Sequence, residues 1–216
     1  MKNYEYILFD LDGTLTESGG GVRVSIEHTM SVLSLPCPDL SDYSLYVGPP
    51  LADTFRGLCA VPGELVDKAV RIYRDYYDVV GIRKTSLYDG VVPMLDELRS
   101  RGGKIAVCTS KNEIVAKYVC DTFNLSSHID AVCGSTLDGS RKAKVDLIPY
   151  ALDTLGCDDK TKAVMIGDTH FDAEGAALTG IDFIGVTYGY GSRESMEEFG
   201  AVGFADSPAK LTDLLR

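Results

Sequence analysis

The amino-acid sequence predicts an α/β fold, a Rossmann-like doubly wound parallel sheet with helices on both faces. Short apolar runs recur along the chain, and segments whose apolar residues repeat at helical intervals separate the later runs. The runs are apolar almost throughout instead of alternating with polar residues, which is typical of parallel strands that are buried on both faces. Alternating strands and helices therefore predict parallel strands joined by helical crossovers.

The predicted strands and helices can be placed along the chain. The strands are YILFD at 6–10, KIAVCTS at 104–110, DAVCGS at 130–135, AVMIGD at 163–168 and DFIGVTYG at 182–189. Apolar spacing predicts helices over Val91–Leu98, Val115–Phe123, Leu147–Leu155 and Ala173–Leu178. Several strands end on a polar residue, and ligands of such sheets bind at the carboxyl ends of the strands.

Residues 17–85 contain no comparable strand and are predicted to form a helical insert, so the main domain comprises residues 1–16 and 86–216. Two segments, VRVSIEHTMSVLSL at 22–35 and GELVDKAVRIYRDYYDVV at 63–80, carry apolar residues at helical spacing. The glycines at 19–21 and the polar segment GIRKTS at 81–86 suit flexible connections. The alternative is that these segments are early helices of the main domain.

Composition and charge restrict the classes of function. A net charge of -11 argues against nucleic-acid binding, which depends on clustered Lys and Arg. No apolar run approaches the ~20 residues that span a bilayer, so no membrane association is expected. The amino terminus lacks the features of a secretion signal and the cysteines occur singly, which together predict a cytoplasmic protein with reduced thiols.

Two aspartates, Asp10 and Asp12, follow the first apolar run with one residue between them. Strand side chains alternate, so both aspartates are predicted to point to one side of the strand. Two carboxylates at such a short distance need a cation between them, or one of them must keep its proton. A calcium loop is excluded, because its glycine position falls on Leu15 and its closing glutamate position on Gly21.

A second acidic pair follows a later apolar run, since Asp168 ends the run and Asp172 lies four residues further on. Carboxylate oxygens of this kind suit Mg²⁺. Taken in order, FDLDGT, VCTS, a lysine before a helix and IGDxxxD resemble the haloacid dehalogenase superfamily of phosphohydrolases over nearly the whole chain. The likeness is closest to the phosphoglycolate phosphatase and 5'-nucleotidase-like branch, through VGPPLADTF, SLYDGV, VCTSKNE and GVTYGYGS. The resemblance implies a catalytic core with an inserted α-helical cap of the C1 type.

The resemblance also implies a role for each motif residue. Asp10 would be the nucleophile that forms an aspartyl phosphate, and Asp12 the acid and base, with its backbone carbonyl on the metal. Thr109 would hold a phosphoryl oxygen. Lys144 is preferred to Lys142 as the motif lysine, because in this branch the lysine lies two residues before the acidic residue that opens the helix. The implied ligands of a single Mg²⁺ are Asp10, Asp12, Asp168 and Asp172.

The expected function is hydrolysis of a small phosphorylated metabolite, such as phosphoglycolate, a nucleoside monophosphate or a sugar phosphate. Asp12 favours a phosphate ester over an organic halide as the substrate. The alkoxide that leaves a phosphate ester needs a proton, and a halide ion does not. Two alternatives share parts of the pattern. One is a β-phosphoglucomutase-like phosphotransferase. The other is a receiver-like signalling domain, in which the acidic pair would precede the phosphorylated aspartate. The oligomeric state is left open.

Overall fold

The computed structural model describes residues 2–215. The chain divides into two compact units, Met1–Thr16 with Leu87–Arg216, and Glu17–Ser86. The described part of the larger unit contains a six-stranded parallel sheet of order β5-β4-β1-β6-β7-β8, which confirms the predicted α/β class. Its strands are β1 (Tyr6–Phe9), β4 (Lys104–Asn112), β5 (Ala131–Ser135), β6 (Ala163–Gly167), β7 (Asp182–Val186) and β8 (Gly203–Ala205).

One of the two edge strands of this sheet, β8, is not predicted by the apolar pattern. It has only three residues, and two of them are partly exposed, so it lacks the continuous apolar run of the inner strands. A separate two-stranded sheet pairs β2 (Thr16–Glu17) with β3 (Ser86–Leu87). Such two-residue strands are too short to leave a periodic pattern in the sequence.

The register of the central strands brings three chain segments out at the same edge of the sheet. Phe9 of β1 pairs with Val107 of β4 on one side and with Ile166 of β6 on the other. The backbone N–H of Asp10 donates to the carbonyl of Ile166 at 2.8 Å. Residues that follow these three strands therefore emerge side by side, at the carboxyl edge where such sheets bind ligands.

Helices cover both faces of this sheet. The apolar faces of α6 and α7 pack on a buried cluster that includes Tyr6, Leu8, Cys108 and Met165. The strand order reverses the direction of the chain along the sheet between α4–α5 and α6–α7, so crossovers of the usual right-handed kind put these two pairs of helices on opposite faces. The helices of this unit are α4 (Val91–Ser100), α5 (Glu113–Thr122), α6 (Lys144–Leu155), α7 (His170–Thr179), α8 (Arg193–Glu197) and α9 (Pro208–Leu214).

The smaller unit is helical. It contains α1 (Gly19–Val32), the short α2 (Leu51–Asp53) that continues into a π-helical turn over Thr54–Leu58, and α3 (Val66–Tyr77). Its aromatic core includes Phe55 and Tyr73 in an edge contact, with ring centres 5.9 Å apart. Within residues 2–215, no helix combines the length and apolar character needed to cross a membrane.

One local prediction in the smaller unit is wrong. The glycines at 19–21 form the first turn of α1 instead of a flexible connection. Gly21 is buried against residue 81, whose carbonyl oxygen would lie 2.4 Å from an added Cβ atom. The glycine therefore allows close packing of α1 on the segment Gly81–Lys84.

Candidate active site

Three aspartates form a compact carboxylate cluster at the carboxyl edge of the sheet. One oxygen from each of Asp10, Asp168 and Asp172 lies within 4.8 Å of the others. Asp10 follows β1, Asp168 follows β6, and Asp172 lies in the first turn of α7. The second oxygen of Asp172 accepts hydrogen bonds from the backbone N–H (3.1 Å) and the hydroxyl (2.8 Å) of Thr169, which hold the carboxylate at the helix start. Three like charges this close require compensating positive charge.

Lys144, the first residue of α6, supplies one positive charge to this cluster. Its Nζ lies 2.9 Å from Asp10 Oδ1 and 2.5 Å from Asp172 Oδ1, and it donates to the carbonyl of Cys108 at 2.7 Å. Burial by itself would lower the pKa of Lys144, but the charges on Asp10 and Asp172 outweigh it and raise the pKa. The lysine therefore stays protonated at neutral pH.

The carboxylates are under-compensated by this single lysine. Burial raises the pKa of Asp10 to about 6, an effect that Lys144 opposes and the charge on Asp172 reinforces. The pKa of Asp168 is raised well above the ordinary value, chiefly by burial and then by Asp172 and Asp10. The cluster thus holds excess negative charge that a bound cation would offset.

The ligand atoms of the cluster also indicate which kind of cation would bind. The two buried oxygens next to Lys144, Asp10 Oδ1 and Asp172 Oδ1, contact its single ammonium group, so one positive charge is shared between two carboxylates. The donors are all carboxylate oxygens, which suit a hard divalent cation. The residues present therefore fit a divalent metal ion.

The third carboxylate, Asp168, is held by backbone and hydroxyl groups. Its Oδ2 accepts from the backbone N–H of Tyr190 at 2.8 Å, and its Oδ1 from the Thr14 hydroxyl at 3.3 Å. The turn after β1 approaches it closely through Gly13, which has φ +86°. A Cβ atom at Gly13 would lie 2.1 Å from Asp168 Oδ2, so both the backbone conformation and the space require glycine.

Asp12 has a different set of partners from Asp10. The strand β1 ends at Phe9, so the alternation of strand side chains does not extend to Asp12. Its Oδ2 lies 2.5 Å from Lys111 Nζ, and its Oδ1 accepts from the Thr16 hydroxyl at 3.3 Å. The side chains of Asp12 and Lys111 are 19% and 13% exposed, so this ion pair is partly shielded from water. Each aspartate of the first motif therefore has its own lysine.

Thr109 lies near the carboxyl end of β4, one residue after the carbonyl that holds Lys144. It is 2% exposed, and its hydroxyl oxygen accepts from the backbone N–H of Lys111 at 3.2 Å. The neighbouring Ser110 is exposed. Because the Thr109 oxygen accepts this hydrogen bond, the proton of its hydroxyl stays available for donation.

This arrangement of aspartates and lysine on a parallel sheet agrees with a family-wide comparison. Residues 7–186 match the model of the haloacid dehalogenase-like hydrolases. The chain belongs to this family. The resemblance inferred from the sequence motifs is thereby confirmed.

Relatives of this hydrolase carry several names. A 5'-nucleotidase of Pseudomonas aeruginosa is 34% identical over 212 residues, covering 98% of this chain and 96% of the nucleotidase. The tyrosine-protein kinase PtkA of Mycobacterium tuberculosis is 37% identical over 194 residues, 90% of this chain, and this chain spans 66% of the kinase's length. The crystal structure of a predicted phosphatase from Clostridium acetobutylicum superposes with a TM-score of 0.91 at 36% identity, covering 99% of both chains.

The structure brings most of the predicted site residues of this hydrolase together. Asp10, Asp168, Asp172 and Lys144 are in one cluster, whereas the side chain of Asp12 pairs outside it and leaves its backbone carbonyl as the predicted metal ligand. Lys142 is exposed.

Lys111 is the functional candidate to which the motifs assigned no role. Its contact with Asp12 joins residues that are 99 positions apart in the sequence. Strand alternation gives no signal for this contact, because the pairing of β4 with β5 changes register between Cys108 and Asn112.

Proposed function

We propose that this hydrolase is a Mg²⁺-dependent phosphatase that cleaves a small phosphomonoester through an aspartyl phosphate on Asp10. The observation that carries the proposal is the buried Lys144, placed between Asp10 and Asp172 within a cluster of three carboxylates. A carboxylate is a weak nucleophile, and it reacts with a phosphate ester only where positive charge offsets the repulsion between the two anions. Lys144 provides part of that charge at the nucleophile itself.

In the first step, an oxygen of Asp10 attacks phosphorus and the bond from phosphorus to the leaving oxygen breaks. The Lys144 ammonium balances the negative charge on the transferring group, and the Thr109 hydroxyl donates a hydrogen bond to one of its oxygens. When bound at Asp10, Asp168, Asp172 and the Asp12 carbonyl, Mg²⁺ would polarise the phosphoryl group. These residues lie at one edge of the sheet because of the register of β1, β4 and β6.

Asp12 is the acid and base of this proposal. It protonates the departing alkoxide in the first step, and in the second step it takes a proton from the water that hydrolyses the aspartyl phosphate. Lys111 and Thr16 contact the two oxygens of the Asp12 carboxyl group and fix its orientation for these proton transfers. Lys111 thus supports the acid and base residue as Lys144 supports the nucleophile.

The proposed substrate is a small phosphorylated metabolite. The 34% identity to a 5'-nucleotidase over nearly the full length of both chains supports a phosphomonoester, and nucleoside monophosphates are the first compounds to test. The net charge of -11 does not favour nucleic acid as a partner. The cysteines are free thiols, most of them buried, which supports a reducing compartment such as the cytoplasm.

A second candidate is transfer of a phosphoryl group to a protein tyrosine. It is favoured by the 37% identity to tyrosine-protein kinase PtkA. The chemistry at Asp10 would be shared, and the difference lies in whether water or a phenol accepts the phosphoryl group. Incubation of the protein and a tyrosine substrate with γ-labelled nucleoside triphosphate tests this candidate, because transfer labels the tyrosine, whereas a phosphatase specific for phosphomonoesters leaves it unlabelled.

Phosphate release from a panel of phosphomonoesters tests the proposal, with Mg²⁺ and with EDTA. The variant is Asp10→Asn, and the matched control is Asp153→Asn, an exposed aspartate of α6. We expect the wild type and the control to release phosphate only with Mg²⁺, and Asp10→Asn to be inactive. Retained activity in Asp10→Asn would refute the mechanism. Turnover that requires a bisphosphate and releases no phosphate would indicate a mutase-type transferase.

A further inference from the structure

The segment that precedes Lys144 raises the question of what holds this lysine in place. Residues 136–143 connect β5 to α6, and most of them are exposed. The N-cap residue of α6 is Ala143, whose methyl group cannot accept a hydrogen bond, and the contact at this end is from the Ala143 N–H to Asp146 Oδ2 at 3.4 Å. A side-chain cap contributes about 1 kcal/mol to a helix start, so this helix begins without one of the usual anchors. Lys144 is nevertheless its first residue and must reach two carboxylates.

Arg141 supplies an anchor at this point. Its Nε donates to the carbonyl of Gly134 at 3.0 Å, and its Nη2 lies 2.7 Å from Glu113 Oε2. The guanidinium also lies over the ring of Tyr150, with 3.6 Å between its central carbon and the ring centre. One side chain therefore contacts β5, the first residue of α5, and the helix α6 that begins with Lys144.

The groups that contact Arg141 are themselves held by further contacts. Glu113 Oε2 also accepts from the backbone N–H of Gly134 at 3.3 Å, and its Oε1 lies 2.6 Å from Lys117 Nζ. A Cβ atom at Gly134 would lie 2.5 Å from Glu113 Cα, so the end of β5 and the start of α5 are in direct backbone contact. The side chains of Arg141 and Glu113 are each only 20% exposed, and a bidentate or shielded pair is stronger than an exposed one.

We propose that Arg141 is a positioning residue that holds Lys144 against Asp10 and Asp172 by joining the start of α6 to Glu113 and Gly134. The inference rests on the proposed phosphatase function for its kinetic consequence, but the placement of Lys144 can be measured without activity. Arg141 is three residues from Lys144 in the chain, and its ring contact with Tyr150 lies on the same helix. It fixes α6 on both sides of the lysine.

The expected consequence is a loss in kcat with little change in KM. Lys144 acts on the transferring phosphoryl group, and displacement of such a group by about 1 Å lowers the rate by about 100-fold. We expect Arg141→Met to lower kcat by about 10- to 100-fold. The matched control is Arg193→Met, because Arg193 also pairs with a glutamate (Glu197, 2.7 Å) and lies over an aromatic ring, that of Phe204, but contacts neither α5 nor β5 through these groups.

Dependence on Lys144 is tested by a double-mutant cycle. In a Lys144→Met background, Arg141→Met should have no further effect on kcat, since the residue through which it acts is gone. Independent, multiplicative effects on kcat would overturn the proposal, as would a change in KM alone. Glu113→Gln provides a milder variant if Arg141→Met does not fold. It keeps the acceptor oxygen but removes its charge, and we expect a smaller loss in kcat and no loss in the control.

The nitrogen NMR signal of the Lys144 ammonium gives a readout that needs no substrate. The signal is assigned by its disappearance in Lys144→Met. We expect it to shift in Arg141→Met and to keep its position in Arg193→Met. An unchanged signal in Arg141→Met would refute the positioning role even if the chain had no phosphatase activity. If the signal shifts while the wild type releases phosphate from no substrate, the proposed function fails and the positioning role stands.

Discussion

The candidate nucleophile should destabilise the metal-free protein, so Asp10→Asn should raise its thermal stability. The Asp10 side chain is only 13% exposed, and burial raises its pKa to about 6 despite the attraction of Lys144. Above that pH, the folded protein must hold a charge that the unfolded chain keeps in water. Asparagine has nearly the same shape and carries no charge, so the substitution removes this penalty.

The size of the effect follows from the pKa shift. The pKa rises from 3.8 to about 6 on folding, and each unit corresponds to 1.36 kcal/mol. Because the folded-state pKa is raised, the associated stability is fully present below the unfolded value and is lost as the pH rises through about 6. The charged carboxylate then lowers stability by about 3 kcal/mol. For a chain of this length, that is a difference in Tm of about 6–12 °C.

Thermal unfolding in EDTA measures this difference for the wild type, Asp10→Asn and the exposed control Asp153→Asn. We expect Asp10→Asn to have the higher Tm at a pH of about 8, and the gap to shrink below about 6 and vanish near 4. Added Mg²⁺ should raise the Tm of the wild type more than that of the variant, because it compensates the same charge. An equal or lower Tm for Asp10→Asn at a pH of about 8, or a gap independent of pH, would refute the reasoning.

Three further predictions concern the residues around the cluster. Lys111→Met should lower kcat by about 10- to 100-fold for alkyl phosphates. The loss should be smaller for p-nitrophenyl phosphate, whose leaving group needs little protonation. Equal losses of kcat for the two substrates would contradict the role of Lys111 beside Asp12. Lys144→Met should lower kcat by about 100- to 1,000-fold in steady-state assays, and a loss below tenfold would show that the ammonium is not needed in the transition state. Tyr188 donates to the carbonyl of Thr14 at 3.0 Å, and Thr14 holds Asp168. Tyr188→Phe should therefore lower stability by about 1–3 kcal/mol in denaturant titrations and weaken Mg²⁺ binding in calorimetry, whereas unchanged Mg²⁺ affinity would show that the contact does not reach the cluster.

Much of the fold could be predicted from the sequence because its physical cause is local. All five apolar runs predicted as strands are strands in the structure, and four of them, β1, β4, β6 and β7, lie inside the sheet, where burial on both faces favours an unbroken apolar run. The edge strand Gly203–Ala205 is only partly buried and has no such run. The glycines at 19–21 were misread because glycine suits both flexible segments and close helix packing, and only the neighbouring backbone at Gly81 distinguishes the two.

The site shows the same division between local and distant causes. The motifs around Asp10, Asp168 and Lys144 mark the ends of strands and the start of a helix, so their residues could be named from the sequence. The partner of Asp12 could not, because Lys111 and Asp12 are far apart in the chain and meet only through the pairing of β1 with β4. The anchor of Lys144 by Arg141 likewise depends on where α5, β5 and α6 converge. Apolar runs and motifs determine the strands and the chemical groups, whereas strand order and register decide which charges become neighbours, since Coulomb and hydrogen-bond energies depend on distance in space and not on separation along the chain.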